Sequence, residues 1–97
     1  MNICFLMGKI ISDVKFDFVI GNNKYLKNGK ISVVRFKVEL LDENVVNIIG
    51  YNDIADFCYQ KLDKNYNVIV EGIIKTEGYI EIEDIELKWK IKRHKKP

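Results

Sequence analysis

Little in this chain suits metal or nucleophilic chemistry. Only two cysteines and one histidine occur among its 97 residues, which makes a zinc site improbable. Cys4 lies within the first predicted strand and Cys58 on the apolar face of a predicted helix, so both read as reduced core thiols. His94 sits in a basic run, where a solvated ring is the default. The chain has no glycine-rich phosphate loop and no serine or cysteine nucleophile with an evident base, so neither a cofactor nor an enzymatic activity is expected. No apolar run approaches the roughly 20 residues of a membrane span. The N-terminus lacks the basic start and small-residue cleavage site of a signal peptide, and the expectation is a cytoplasmic protein. Internal repeats and low-complexity tracts are also missing.

A chain this short is one domain, and a domain of its size buries only about 60 to 65% of its unfolded surface. It gains stability by closing a barrel or by associating. The formal net charge of +2 conceals a division. Residues 1–87 hold ten Lys or Arg against fourteen Asp or Glu, a balance of −4, while Lys88, Lys90, Lys92, Arg93, Lys95 and Lys96 add +6. The body is mildly acidic and its end is basic. Two readings of that end stay open: a cationic arm lying along phosphates, or a solubilising terminus.

What is present is a succession of short β patterns. Val45 to Tyr51 alternates, with Val46, Ile48 and Gly50 on one face and Val45, Asn47, Ile49 and Tyr51 on the other. Asn52 or Asp53 can cap a helix whose apolar positions are Ile54, Phe57, Cys58 and Leu62. Asn65 suits the left-handed turn that ends it, and a strand resumes at Asn67. In Ile31 to Leu41, Val34, Phe36, Val38 and Leu40 face inward, and Arg35, Lys37 and Glu39 outward. Val68, Val70, Gly72 and Ile74 form another inward row, and Thr76-Glu77-Gly78 is a turn into Tyr79 to Leu87. There the inward parity changes between Ile82 and Ile85, which predicts a bulge near Glu83-Asp84. Phe18 to Lys30, rich in Gly and Asn, reads as a long hairpin or flexible loop. Asn2 to Ile10 is apolar on both faces, as in a strand covered on both sides.

The run Asn47-Ile48-Ile49-Gly50-Tyr51-Asn52-Asp53-Ile54-Ala55-Asp56, with Leu62-Asp63-Lys64-Asn65 and Val68-Ile69-Val70-Glu71-Gly72, resembles the middle of bacterial single-stranded DNA-binding proteins. That family carries a hydrophobic strand, an aromatic, Gly-Lys-Leu-Ala-Glu, a helix, Leu-x-Lys-Gly and a strand closing on Val-Glu-Gly. Met1-Asn2 with Leu6 to Asp13 resembles its opening strand, and Val33 to Val38 its second. The resemblance covers roughly residues 1 to 87. It implies an all-β, five-stranded Greek-key barrel of the oligonucleotide/oligosaccharide-binding (OB) fold, with one helix between strands 3 and 4. The domain is expected over residues 1–91, with a short basic tail at 92–97. The length and the want of an acidic tail are closest to the primosomal replication protein related to the family, or to accessory proteins of plasmids, phages and conjugative elements.

The implied partner is single-stranded DNA, held by aromatic stacking and phosphate contacts without regard to sequence, in replication, recombination or mobile-element maintenance. Stacking contributes about 1 to 3 kcal/mol per base. Tyr51 and Tyr79 match positions where the family places stacking rings, though a tyrosine packed on the barrel with its hydroxyl in water is the plainer alternative. Arg35, Lys37, Lys9 and Lys75 are candidate phosphate contacts, and Asn47, on the Tyr51 face, a candidate hydrogen-bonding group. Trp89 alternates with lysines and is either a further stacking ring or packing. Against this stands the crowd of Glu77, Glu81, Glu83, Asp84 and Glu86, which repels a polyanion wherever it faces the groove. The competing function is an OB-fold interaction subunit of a replication or DNA-transfer complex, its acidic face docking a basic protein. In the family the first strand pairs between subunits, so a homodimer is expected, with a homotetramer left open.

Overall fold

Strands with a period of two in their apolar residues make up most of the secondary structure. The computed structural model describes residues 3–20 and 30–87. Its elements are β1 (Ile3–Ile10), β2 (Lys15–Ile20), β3 (Lys30–Leu40), β4 (Val45–Tyr51), α1 (Asp53–Lys61), β5 (Asn67–Ile74) and β6 (Ile80–Leu87). Five strands close a ring: β1 pairs with β5, β5 with β6, β6 with β4, β4 with β3, and β3 returns to β1. Only β4 and β6 run parallel. This is the OB-fold barrel that the sequence resemblance implies. Closure leaves the ring without a free edge except where β1 runs past β3, since the two pair only over Gly8–Ile10.

A sixth strand joins the five of the expected ring, and it shifts the place of the helix. Lys15–Ile20 is a strand in its own right, laid antiparallel on the first half of β3, with Lys15 opposite Arg35 and Ile20 opposite Lys30. Its residues Phe16, Phe18 and Ile20 alternate with Lys15, Asp17 and Val19, so the period of two was present. Of the two readings of Phe18 to Lys30, the hairpin holds at its described ends, with Phe18–Ile20 as the rising arm. Because β2 is additional to the ring, the helix follows the fourth strand in chain order. Residues 21–29, which include the Gly and Asn turn signals, lie outside the described residues, as do the expected extension of the last strand to Ile91 and the basic tail.

Inside the ring, Ile10, Val34, Val38, Ile48, Val68 and Val70 are fully buried. Helix α1 plugs one end with Ala55, Cys58 and Leu62. Burial pushes the Cys58 thiol up to about 12, and Cys4 is raised for the same reason; neither forms a disulfide. Phe57, expected in the apolar stripe, is 40% exposed, because the helix turns Ala55 toward the barrel in its place. Asn52 occupies the N-cap position without a side-chain capping bond. Asn65 is left-handed, with φ 76°, but the helix has already ended in the extended Leu62. Asn65 instead turns the chain into β5.

Two local features shape the ring. A Cβ on Gly8 would collide with the Glu39 carbonyl oxygen, so only glycine lets β1 cross this close to β3. On the other side, Glu71 pairs with Asp84 and Gly72 with Ile82, which leaves Glu83 as the extra residue. The predicted bulge is therefore present, and it returns Ile85 to the core beside Ile80 and Ile82. Ile74, at the end of its inward row, is 49% exposed, beyond the reach of the barrel.

Candidate nucleic-acid interface

The outward face of β3 and β4 is the floor of a cleft of about 280 Å³. Arg35 lies opposite Ile49, and Lys37 opposite Asn47. One wall is the connection from β1 to β2, carrying Ser12, Asp13 and Lys15. Two bonds pin it to β3: the Lys37 N–H donates to Ser12 Oγ at 2.8 Å, and the Ile11 N–H donates to the Lys37 carbonyl at 2.9 Å. The other wall is the turn from β5 to β6, carrying Glu77, Gly78 and Tyr79. The Lys75 N–H donates to the Tyr79 carbonyl and the Gly78 N–H to the Lys75 carbonyl, at 2.9 and 3.0 Å. Gly78 takes φ +95°, which a residue with a Cβ adopts only under strain.

The cleft mixes charges, with Lys15, Arg35 and Lys37 against Asp13 and Glu77. Lys15 and Arg35 sit directly across the β2–β3 ladder from one another, an arrangement of like charges that destabilises a sheet. Among the described residues, neither these two nor Lys37 has a carboxylate within ion-pair distance. All three are exposed.

The sequence-predicted residues divide. Arg35, Lys37, Asn47 and Tyr79 converge on the cleft. Tyr51 shares their face one ladder step beyond Ile49, opposite Val33, and is half-buried. Lys75 is held by Glu81, Nζ to Oε1 at 3.4 Å. Lys9 lies elsewhere, beside a separate hollow lined by Met7, Leu40, Leu41 and Asn67. Trp89 lies outside the described residues. Of the acidic crowd, Glu77 borders the cleft and Glu81 flanks it beside Ile49, while Asp84 stands away, opposite Glu71. The cleft adds Lys15, Ser12, Asp13 and Ile49 to the expected set. Lys15 falls outside the expected set because the hairpin or loop is read only from Phe18 onward; the alternation of residues 15–20 is the signal for it.

With the geometry in place, the chain can be set beside known structures. It superposes on the SSB domain of a protein from Synechococcus sp. with TM-score 0.67 at 18% identity, covering 89% of this chain and 94% of that one. For the second single stranded DNA binding protein, SSBb, of Mycobacterium smegmatis the TM-score is 0.69 at 15% identity, with 94% and 90% covered. The small single-stranded DNA-binding protein of Streptomyces coelicolor gives 0.60 at 19%, with 91% and 95% covered. No protein-family model and no curated protein sequence matches. At these identities the likeness establishes a shared fold, and it falls on the family that the sequence resembles. No described helix is long and apolar enough to cross a membrane.

Proposed function

We propose that this protein binds single-stranded DNA in the cytoplasm, as a non-enzymatic protein of replication, recombination or mobile-element maintenance. The observation that carries the reading is the unneutralised row of Lys15, Arg35 and Lys37 on the open face of an OB barrel. Phosphates lie along these three cations, and bases stack on Tyr79 and Tyr51, a mode that requires no particular sequence because every base has a π-face. The likeness to single-stranded DNA-binding domains supports it. Lys75 contributes less than its charge suggests, since Glu81 already holds it. Lys9 sits opposite Glu39, two residues along β3 from Lys37, and borders a separate hollow.

The test is fluorescence anisotropy of a labelled mixed-pyrimidine oligonucleotide, with a matched duplex as competitor, across a salt series. Three phosphate contacts give a log-log salt slope of about −2 for a single strand. Preference for the single strand with that slope supports the reading. Equal affinity for duplex, or no binding, overturns it and leaves the protein-interaction alternative.

We further propose that the protein is a homodimer, or a tetramer built from dimers. Ile3, Phe5 and Met7 are 53, 70 and 46% exposed on the outward face of β1, and the same strand's edge from Ile3 to Met7 has no ladder partner among the described residues opposite β5. Bare hydrocarbon beside an open edge fits a second copy of the strand.

A further inference from the structure

We propose that the basic run after β6 folds back onto its own barrel, seating Trp89 and Ile91 in the hollow between β1 and β3 with its lysines beside Glu39 and Glu43. The hollow has a volume of about 610 Å³, and its lining includes Met7, Leu40, Leu41, Glu39, Glu43 and Asn67. Leu41 is 87% exposed and Met7 46%, so the apolar part of that lining is left to water. Among the described residues, neither Glu39 nor Glu43 has an ion pair, although Lys9 lies opposite Glu39 in the β1–β3 ladder. An apolar seat rimmed by carboxylates fits an apolar segment that carries cations. The run Lys88-Trp89-Lys90-Ile91-Lys92 is such a segment, whereas the strip of Ile3, Phe5 and Met7 on a second copy would leave both carboxylates unneutralised.

The course of β6 delivers the run to this place. Leu87 pairs with Val68, and Val68 pairs on its other side with Gly8, which lines the hollow. The end of β6 is thus two strand spacings, about 10 Å, from the site. The ladder offers little beyond that point, because β5 begins at Asn67. Before it, the Tyr66 N–H donates to the Asp63 carbonyl at 3.3 Å, and the Tyr66 carbonyl accepts the Ile10 N–H at 2.9 Å. The chain beyond Lys88 therefore has no strand residue left to pair with on β5. Residues 88–92 span up to about 16 Å when extended, enough to carry Trp89 past Asn67 and Ile91 toward Leu41. Ion pairs at an exposed rim contribute little alone, so the apolar side chains hold the run while the long lysine stems let its charges reach the carboxylates. The basic run is then neither an arm on phosphates nor a free solubilising end.

Trp89 is the only tryptophan in the chain, so its fluorescence reports the docking directly. The experiment uses the full chain without nucleic acid, and its outcome is independent of the single-strand reading. In the wild type, emission should be blue-shifted and acrylamide quenching several-fold weaker than in a peptide of residues 88–97. Leu41→Lys with Glu43→Lys removes the apolar seat and one carboxylate at exposed positions of the turn after β3, so the double variant keeps the barrel. Its emission and quenching should match those of the peptide. Phe5→Glu, on β1 but outside the hollow, should leave the protection of Trp89 intact. A tryptophan as exposed in the wild type as in the peptide overturns the inference. So does protection that survives Leu41→Lys with Glu43→Lys, which places Trp89 elsewhere on the barrel. Protection lost in Phe5→Glu overturns it as well, by making a second copy the cover.

Discussion

On β3 and β4 the outward side chains include Arg35, Lys37, Asn47 and Ile49, whereas on β1 and β5 they include Ile3, Phe5, Met7, Ile69 and Ile73. Both faces are the solvent side of one barrel, generated by the same period of two, and both back onto the same buried aliphatic row. They differ in what water leaves unsatisfied. The first face holds three cations without described ion-pair partners, and the second holds hydrocarbon without cover. A polyanion relieves the first and another apolar surface the second, so the barrel is read as a wall between a nucleic-acid side and a protein side. If that division is right, changes to one face leave the other's behaviour alone.

The largest effect is expected from reversing the cross-strand pair. Lys15→Glu with Arg35→Glu removes two charge-assisted contacts worth about 1.5 to 3 kcal/mol each, which lowers single-strand affinity on the order of 100-fold or more. Sedimentation of this variant should show the same assembly as the wild type. Unchanged DNA affinity would place the binding track elsewhere. The mirror experiment is Phe5→Glu, which sets a charge in the exposed apolar strip. Sedimentation velocity should then show a smaller species, while the affinity of a short oligonucleotide that spans one cleft stays within a few-fold. A short-oligonucleotide affinity that collapses along with the assembly would mean that the two faces are not independent.

Next come the rings. Tyr79→Ala should weaken single-strand binding about tenfold, within the range of about 1 to 3 kcal/mol for a stacked base, because Tyr79 borders the cleft. Tyr51→Ala should cost less, since Tyr51 lies one ladder step away and is half-buried. Equal losses would move the path of the strand toward Tyr51. Glu81→Gln is expected to act in the opposite direction. It removes a negative charge beside Ile49 and at 3.4 Å from Lys75, which should raise affinity a few-fold at low salt and by less as screening shortens the Debye length from about 10 Å at 0.1 M.

How much of this was legible beforehand differs between the two sides. Val45–Tyr51 and the bulge at Glu83 could be read from parity alone, because a core-facing residue out of phase must be paid for by an inserted one. The outward cations of β3 followed from the same count. Lys15 did not, since the hairpin or loop is read only from Phe18 onward, although Phe16, Phe18 and Ile20 alternate as a strand does. The state of Lys75 was also hidden: its pairing with Glu81 depends on the tight Thr76-Glu77-Gly78 turn bringing the ends of β5 and β6 together. Periodicity reports which face a residue takes. It does not report which charges meet across a turn, or that Lys9, equally outward, looks onto a different hollow.

The smallest effect concerns the joint between the faces. Asn52 follows Tyr51 at the end of β4 and holds φ 57° and ψ −124°, a region that glycine occupies freely and other residues at a cost of about 1 to 3 kcal/mol. The resembling family places glycine there. The backbone of Asn52 helps hold this shape: its N–H donates to the Ser32 carbonyl at 2.9 Å, and its carbonyl accepts the Asp56 N–H at 3.0 Å and the buried Ser32 hydroxyl at 3.3 Å. Glycine makes the same backbone bonds. Asn52→Gly relieves the strain and concedes about 0.5 to 1 kcal/mol of unfolded-state entropy, so denaturant unfolding should show a net gain of about 1 kcal/mol, with single-strand affinity unchanged. A net loss would mean that the Asn52 side chain contributes more through its own contacts than the strain takes away. The turn after Tyr51 would then be held by that side chain as well as by the backbone.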